Sequence, residues 1–418
     1  MMRALFAGVS GLRNEQTAMD VIGNNIANVN TVAYKGSRTV FKEAFAQLLQ
    51  GASRPPGNTG GINPIQIGSG MNIGSIDMLY TQGSLNSTGQ NTDMAIQGDG
   101  MFVLSDGQKQ VFTRAGNFQL DANGRLIAPD NGFVVQGINA DASGNFSAAS
   151  SITDITLPLG QKSPAKATSS IDLTGNLDQS SAVGATHAMG ITVYDGAGGP
   201  HNLQLTFTNT GVGTWTWAAT VGGGTGTITA GGTGTATFSP SGSLATFTGG
   251  APLTVDPGAV GGGDTFNVAV NAGTINGIDG LAGFANQSNA VVSSQDGYQA
   301  GDLTDISVDK TGVITGFFTN GVSRSLAQVA LASFNNPSGL LRSGDNVYET
   351  SANSGIPVIG FAGTSNTSTI TPGALENSNV DISQQFTDMI IAQRGFQANA
   401  KVITTADEML QDLVNLKR

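Results

Sequence analysis

The sequence predicts a mixed but mainly β protein, with nested all-β domains and long helices at both ends. Three observations carry this prediction: apolar residues that recur every seven positions near each end, short strand-like runs closed by tight turns, and a long central stretch rich in Gly and Thr. A seven-residue apolar repeat places one face of a helix against a partner. Alternation of apolar and polar residues is instead typical of a strand with one buried face.

The two ends, 1–30 and 380–418, are predicted to form a coiled-coil-like inner domain. Ser378 or Asp381 could cap the start of its second helix. Glycines within both repeats cost about 1 kcal/mol each relative to Ala, so we expect packing on each other and on copies of the chain to order these helices. Two ordinary amphipathic helices on a globular core would show the same period. The predicted interface residues are Leu5, Val9, Leu12, Met19, Ile22, Ile26, Ile382, Phe386, Met389, Phe396, Ile403 and Leu410.

The segments 75–140 and 286–362 are predicted to be two parts of one middle β domain. Within them, Asp121–Gly124 and Asp309–Gly312 have the Asp-to-Gly spacing of a type I turn that joins two strands. The segment 31–74 is predicted to be an extended linker, and the shorter segment 363–379 a second linker.

The central stretch 141–285 is predicted to be an outer β domain inserted into the middle one. No Lys or Arg occurs between Lys166 and Lys310, whereas ten Asp do, so almost all of the net charge of −11 falls there. The Gly/Thr-rich part alternates polar and apolar residues, as in Trp215-Thr-Trp217, which favours twisted hairpins with one solvated face. A flexible linker is the alternative, although linkers rarely carry Trp or repeated β-branched residues.

Composition excludes several classes of protein. Charged residues make up 11% and apolar residues 39%, whereas disordered chains are highly charged and poor in apolar residues. The acidic balance argues against nucleic acid as a partner, because phosphate binding needs clustered Lys and Arg. The absence of Cys excludes disulfides, Cys-ligated zinc and a Cys nucleophile. The chain shows no convincing signal peptide and no apolar run long enough for membrane insertion.

Signals for an enzyme are thin. The sequence has no phosphate-binding G-x-x-x-x-G-K and no G-x-S-x-G nucleophile elbow. His187 and His201 are its only histidines, too few for the usual triads or zinc sites. We therefore predict no catalytic residue, no metal site and no cofactor.

One polar motif ends the first apolar repeat. Four Asn occur within seven residues of 24–30. Asn tolerates the left-handed conformation that ends helices, and its amide both donates and accepts hydrogen bonds. The motif is therefore expected to end the helix and to bond laterally to identical neighbours; a simple polar cap and loop is the alternative.

The stretch Val21–Gly36 closely resembles the N-terminal signature of bacterial flagellar rod and hook proteins. Residues 375–383 and 389–401 resemble the C-terminal signature of that family, and 93–103 and 116–121 are similar to its first β domain. The resemblance covers well over half of the chain. The matching motif residues near the N-terminus are Asn24, Asn25, Ala27, Asn28, Thr31, Tyr34, Lys35 and Gly36.

The insertion at 141–285 makes the chain most similar to the hook members of this family. The resemblance implies a structural subunit that is exported unfolded by the type III apparatus and becomes extracellular as part of the flagellum. It implies a homo-polymer, a curved flexible tube that acts as a universal joint between rod and filament. Its implied partners are the distal rod protein, the hook cap, the hook-filament junction proteins and the export apparatus.

Two other functions stay open at this point. The rod-like start of the sequence is compatible with a distal-rod-like axial protein. The Gly/Thr-rich middle would also suit a β-rich cell-surface binding module or adhesin, although that function leaves the apolar repeats at both ends unexplained.

Overall fold

The computed structural model describes residues 2–52, 61–141, 143–147, 151–158, 160, 162–222, 226–249, 252–258, 264–363 and 368–415. The predicted ranges 1–30, 31–74, 141–285, 363–379 and 380–418 therefore each include residues outside the described ones. The chain divides into two compact units. The first comprises 1–157, 306–315 and 325–418, and the second comprises 158–305 and 316–324.

Both predicted terminal helices are present, α1 (Met2–Ala27) and α2 (Ile382–Asn415). Asp381 caps α2 through Oδ1, which accepts hydrogen bonds from the backbone N–H groups of Ser383 (2.8 Å) and Gln384 (3.3 Å). This satisfies donors that have no partner within the helix. The rest of the described chain is mainly β, as the sequence predicts.

The first unit begins, after α1, with a series of short strands. They are β1 (Ser37–Glu43), β2 (Ala46–Gln50), β3 (Ile65–Gly68), β4 (Met71–Met78), β5 (Leu85–Ser87), β6 (Met94–Gln97), β7 (Met101–Ser105), β8 (Gln110–Thr113), β9 (Gln119–Leu120), β10 (Leu126–Ile127), β11 (Val134–Asn139) and β12 (Thr153–Asp154). β1 pairs with β4, and β2 pairs with β3, both antiparallel, so the segment after α1 is a two-stranded ribbon.

The second unit follows with longer strands. They are β13 (Lys162–Ser163), β14 (Ser170–Asn176), β15 (Thr186–Tyr194), β16 (Pro200–Gly211), β17 (Thr214–Gly222), β18 (Thr227–Ala230), β19 (Thr233–Phe238), β20 (Leu244–Phe247), β21 (Leu253–Asp256), β22 (Phe266–Asn271), β23 (Leu281–Ala282) and β24 (Val291–Gln295).

Most of the described part of the second unit, from β14 to β24, forms a two-sheet sandwich. One sheet has the order β15-β16-β17-β19-β20, and the other has β18-β21-β22-β14-β23 with β24 against β14. Both tryptophans of the chain, Trp215 and Trp217, are buried in the core between the sheets. The Gly/Thr-rich middle therefore forms strands, because every second side chain is apolar and can enter that core.

The remaining strands complete the chain. They are β25 (Gly301–Val308), β26 (Val313–Phe318), β27 (Ser323–Val329), β28 (Leu331–Ser333), β29 (Leu341–Gly344), β30 (Val347–Glu349), β31 (Val358–Gly360), β32 (Thr369–Pro372) and β33 (Ala374–Glu376), with a short 3₁₀ turn at Pro337–Gly339. In the first unit, β7 pairs with β8, β11 and β28, so early and late segments share one sheet.

Both predicted tight turns are confirmed. The backbone N–H of Gly124 donates to the carbonyl of Asp121 at 3.0 Å, and β9 pairs with β10 on either side. The N–H of Gly312 donates to the carbonyl of Asp309 at 3.1 Å, between β25 and β26. Both glycines have positive φ, 78° and 77°, which explains Gly at these positions.

Candidate assembly site at the paired chain ends

The two terminal helices pack against each other in antiparallel fashion. Gly8 lies opposite Ile403, Gly11 opposite Asn399, and Gly395 opposite Glu15, so residue numbers rise along one helix as they fall along the other. A β-carbon added to Gly11 would lie 2.5–2.7 Å from the side-chain amide of Asn399. Gly8, Gly11 and Gly395 therefore lie where the two helices approach closely, which explains glycines that would weaken either helix alone.

Nine of the twelve predicted interface residues are half-buried in the single chain. Val9, Ile382 and Phe386 are instead exposed, to 46%, 44% and 51%. The half-buried residues are Leu5, Leu12, Met19, Ile22, Ile26, Met389, Phe396, Ile403 and Leu410. The fully buried helical positions are small or polar: Gly8, Gly11, Asn14, Ala18, Asn25, Ala392 and Ala406. Apart from Asn25, which belongs to the Asn-rich motif, the sequence did not predict these residues as interface positions, because an apolar repeat favours large side chains.

The helix pair leaves a second set of large apolar side chains uncovered. On α1, Met2 is 67% and Phe6 is 66% exposed. On α2, Ile382, Phe386 and Ile390 follow one another at four-residue spacing, so they share one face of the helix. Ile390 is 57% exposed. Contiguous exposed apolar surface of this kind marks an interaction site.

The ribbon that follows α1 is exposed as well. Phe45 is 70% exposed, Leu48 54%, Leu49 52% and Ile65 51%. A two-stranded ribbon has no second layer of its own to cover such side chains. The ribbon and the outer faces of the helices are thus among the apolar surfaces that a single copy of the chain leaves open.

Asn25 is the centre of the Asn-rich motif, and it is 2% exposed. Its Nδ2 donates to the carbonyl of Ser37 (2.7 Å) and to Oε1 of Gln385 (2.9 Å), while its Oδ1 accepts from the backbone N–H of Ser37 (2.9 Å). The amide therefore joins α1, the start of β1 and the start of α2. Both ends of the Asn25 amide are thus satisfied within the chain, and lateral bonding of the Asn-rich motif to identical neighbours stays a prediction.

The other motif residues close the end of α1, which stops at Ala27 as the motif predicts. The Nδ2 of Asn28 donates to Oδ1 of Asn24 at 2.7 Å, and the hydroxyl of Thr31 donates to Oδ1 of Asn28 at 3.1 Å. The hydroxyl of Tyr34 lies 3.2 Å from Oδ1 of Asn24. These bonds within the motif form a helix end and a tight loop.

Lys35 enters a buried ionic triad with Glu376 and Arg114. Its Nζ lies 2.7 Å from Oε1 of Glu376, whose Oε2 accepts from Nε of Arg114 at 2.8 Å. The three side chains are only 2%, 0% and 5% exposed. The backbone N–H of Gly83 also donates to Oε1 of Glu376 at 2.8 Å. One carboxylate therefore ties together the N-terminal motif, the β region and the strand that leads to α2.

The charges around Glu376 set its ionisation. Burial alone would raise its pKa, but the neighbouring Arg114 and Lys35 outweigh that effect and hold the pKa below its usual range. Glu376 is therefore an anion between two cations in the folded chain.

Gly36 and Asn379 make a second tie between the two ends. The backbone N–H of Gly36 donates to Oδ1 of Asn379 at 2.8 Å, and Nδ2 of Asn379 donates to the carbonyl of Leu79 at 2.7 Å. Glu376 and Asn379 lie within the C-terminal motif 375–383, although the sequence assigned them no individual role. Arg114 lies outside the motifs, and an isolated basic residue beside a strand-like run gives only a weak signal.

Two further features bear on possible chemistry. Among the described residues, no group of three or more His, Asp or Glu side chains is arranged to hold a metal ion. Nε2 of His201 lies 2.9 Å from Oδ2 of the buried Asp195, and Nε2 of His187 lies 2.8 Å from the carbonyl of Ala290.

Across the described helices, none combines the length and apolarity that crossing a membrane requires.

Models of four protein families match the chain in consecutive order. The flagella basal body rod protein model matches residues 5–35, and the flagellar hook protein FlgE/F/G D1 domain matches 95–177. The flagellar basal body protein FlaE D2 domain matches 164–298, and the flagellar basal body rod FlgEFG protein C-terminal model matches 371–416. The first and last of these coincide with the two ends that pack together.

Whole-length relatives agree with the family models. The chain is 41% identical to the flagellar hook protein FlgE of Borreliella burgdorferi and 41% identical to that of Treponema pallidum, in both cases over 100% of both chains. It is 29% identical to the flagellar basal-body rod protein FlgG of Bacillus subtilis, again over 100% of both. The crystal structure of Helicobacter pylori flagellar hook protein FlgE2 matches 70% of this chain and 100% of that one, with 16% identity and a TM-score of 0.52, a likeness of fold alone.

Proposed function

The chain belongs to the flagellar hook protein family, and we propose that it is a structural subunit of the flagellar hook. One observation carries the proposal beyond family membership: a single copy leaves apolar side chains exposed along both terminal helices and the ribbon. Burial of apolar surface is the main driving force of association. Copies of the chain that cover these surfaces on one another would form the hook polymer.

We assign the layers of this polymer from the predicted segments. The helices of 1–30 and 380–418 would form a coiled-coil-like inner layer, and 31–74 would connect it outward. The β segments 75–140 and 286–362 would form a middle layer, with 141–285 inserted as the outermost domain and 363–379 as a linker. The antiparallel packing of α1 on α2 and the separate sandwich of the second unit support this assignment.

The distribution of charge suggests how such a tube could bend while it rotates. Subunits of a universal joint must shift along one another without separating. Residues 196–255 contain no Asp, Glu, Lys or Arg, and His201 pairs with Asp195 of the same chain, so few ion pairs between copies would have to break with each turn. The inner helices would then maintain continuity while weak contacts farther out slide.

The family also suggests partners and a route. We infer that the chain is exported unfolded by the type III apparatus, assembles beneath the hook cap, and lies between the distal rod protein and the hook-filament junction proteins. The antiparallel helix pair is compatible with such a route, since its glycine-containing helices depend on tertiary packing for their order.

Substitutions on the outward face of α2 test the structural role. Phe386→Gln and Ile390→Gln each remove an exposed apolar side chain whose burial would contribute about 1.5–3 kcal/mol. We expect each to raise the protein concentration needed for polymers by about tenfold or more, since 1.4 kcal/mol corresponds to tenfold. Ile356→Gln is the matched control, because Ile356 is 85% exposed outside both helices.

Sedimentation and electron microscopy of the purified full-length chain would measure these effects. Folded chains that never form tubes would overturn the proposal, and so would equal assembly of all three variants. A distal-rod-like role is the second candidate, supported by the full-length similarity to the Bacillus subtilis rod protein. Straight, rigid polymers in place of curved, flexible ones would favour that candidate.

A further inference from the structure

A groove of about 310 Å³ lies between α1, α2 and β1, all in the first unit. Its apolar lining includes Ala18, Ile22, Phe41, Ile391 and Ala392. Ile391 is 64% exposed although it lines the groove, so the groove is unfilled along that side in a single chain. A space of this size can hold one or two large apolar side chains.

The charges that line the groove are not balanced. Glu15 makes no hydrogen bond or ion pair with another residue in the part of the chain that the structure describes, and burial raises the pKa of its carboxyl group. Asp388 lines the same groove. Arg38 is the basic residue of the lining, and its Nε lies 3.8 Å from Asp77. The groove therefore offers an apolar floor and an unpaired carboxylate.

The first turns of α1 carry the complementary features. Met2 and Phe6 are four positions apart on the helix and are 67% and 66% exposed, so they form one apolar knob. Arg3 lies beside them, is exposed, and makes no ion pair within the described residues. An exposed cation next to two exposed apolar side chains matches an apolar groove with a free carboxylate.

We propose that the first turns of α1 of a second copy of the chain dock into this groove, with Phe6 on its apolar floor and Arg3 against Glu15. This inference rests on the proposed function and identifies the surfaces that one of the polymer contacts would use.

A copy cannot fill its own groove in this way. Phe6 and the groove residues near position 20 are about 14 residues apart on one continuous helix, or about 21 Å. The knob and the groove are therefore different surfaces of the same chain. Contacts between two different surfaces are head-to-tail, and they repeat without limit unless the rotation closes a ring. Such a contact generates a filament.

Cysteine pairs provide a direct test, because the native chain has no Cys. Phe6→Cys combined with Ile391→Cys places one thiol on the knob and one in the groove. Within one chain the two positions are about 18 Å apart along the helix pair, well beyond the roughly 7 Å that a disulfide can span between α-carbons. Every disulfide between these positions must therefore link two copies.

The polymers formed by the full-length double variant would be oxidised and analysed on a non-reducing denaturing gel. We expect a ladder of covalent oligomers. Phe6→Cys alone can give no more than dimers, and Phe6→Cys with Ile356→Cys is the control pair, since Ile356 is exposed but lies outside the groove. Polymers without a ladder, or an equal ladder from the control pair, would overturn the inference and leave the structural role intact.

Charge reversal is the second measurement, independent of cysteine chemistry. Arg3→Glu and Glu15→Arg should each raise the concentration needed for assembly by about tenfold, and the double reversal should restore it to within about threefold. Arg394→Glu is the matched control, an exposed arginine of α2 outside the groove. If both single reversals assemble like the native chain, the inference is wrong. If the native chain forms no polymer, the proposed function fails, and the inference fails with it.

Discussion

The buried triad at the junction of the two ends provides the sharpest prediction about stability. Glu376→Gln keeps the shape of the side chain but removes the negative charge that Lys35 and Arg114 share. Both cations are nearly inaccessible to solvent, 2% and 5% exposed, so water cannot replace the lost partner. Removing one member of a buried ion pair costs about 3–5 kcal/mol, because the remaining charge stays desolvated.

That loss corresponds to a decrease of about a hundredfold to several thousandfold in the folding equilibrium of the first unit. It should be confined to that unit, since Lys35, Arg114 and Glu376 all belong to it. Both tryptophans belong to the second unit. Tryptophan fluorescence therefore reports unfolding of the second unit, whereas circular dichroism at 222 nm follows the terminal helices of the first.

Urea unfolding of the full-length monomer, followed by both signals, is the assay. We expect Glu376→Gln to move the circular dichroism transition to lower urea while the fluorescence transition stays in place. Glu349→Gln is the control, because the side chains of the Lys109–Glu349 pair remain 54% and 29% exposed, so solvent screens the pair and it should contribute little. If Glu376→Gln behaves like Glu349→Gln, or if both signals shift together, the triad does not stabilise the first unit as argued.

Three further predictions concern the same junction. Gly83→Ala should destabilise the first unit, because the added β-carbon would collide with the backbone carbonyl of Asn377. Gly23→Ala should instead stabilise α1 by about 1 kcal/mol, because a β-carbon there has no atom within 4 Å and Ala favours the helix. Melting curves that show Gly83→Ala as more stable than Gly23→Ala would contradict this prediction. Asn25→Ala should cost about 1–3 kcal/mol, because the backbone N–H of Ser37 loses its buried acceptor; unchanged hydrogen exchange at that amide would refute it. The lowered pKa of Glu376 contributes stability that is fully present above the ordinary Glu value of 4.5 and is lost as pH falls through the folded pKa. Acid titration should therefore destabilise native protein more steeply than Glu376→Gln, and parallel curves would exclude that contribution.

The local elements could be predicted from the sequence because their causes are local. The seven-residue repeats predicted two helices, observed as Met2–Ala27 and Ile382–Asn415. The Asp-to-Gly spacing at Asp121–Gly124 predicted a turn that the hydrogen bonds confirm. In each case, residues within a few positions of one another decide the conformation. The long motifs at both ends were likewise sufficient to indicate the family.

The contacts that make the candidate site could not be predicted in that way. Lys35 meets Glu376 across 341 residues, and Arg114 meets it across 262. From the sequence alone, the interior glycines would only weaken the isolated helices, whereas in the folded chain Gly11 lies where Asn399 of α2 comes close. The sequence alone determined which segments are helical or extended, because short-range sterics and hydrophobic periodicity decide that. Only the tertiary structure decided which polar groups are buried together and which apolar faces stay open, because burial depends on segments that folding brings together from opposite ends of the chain.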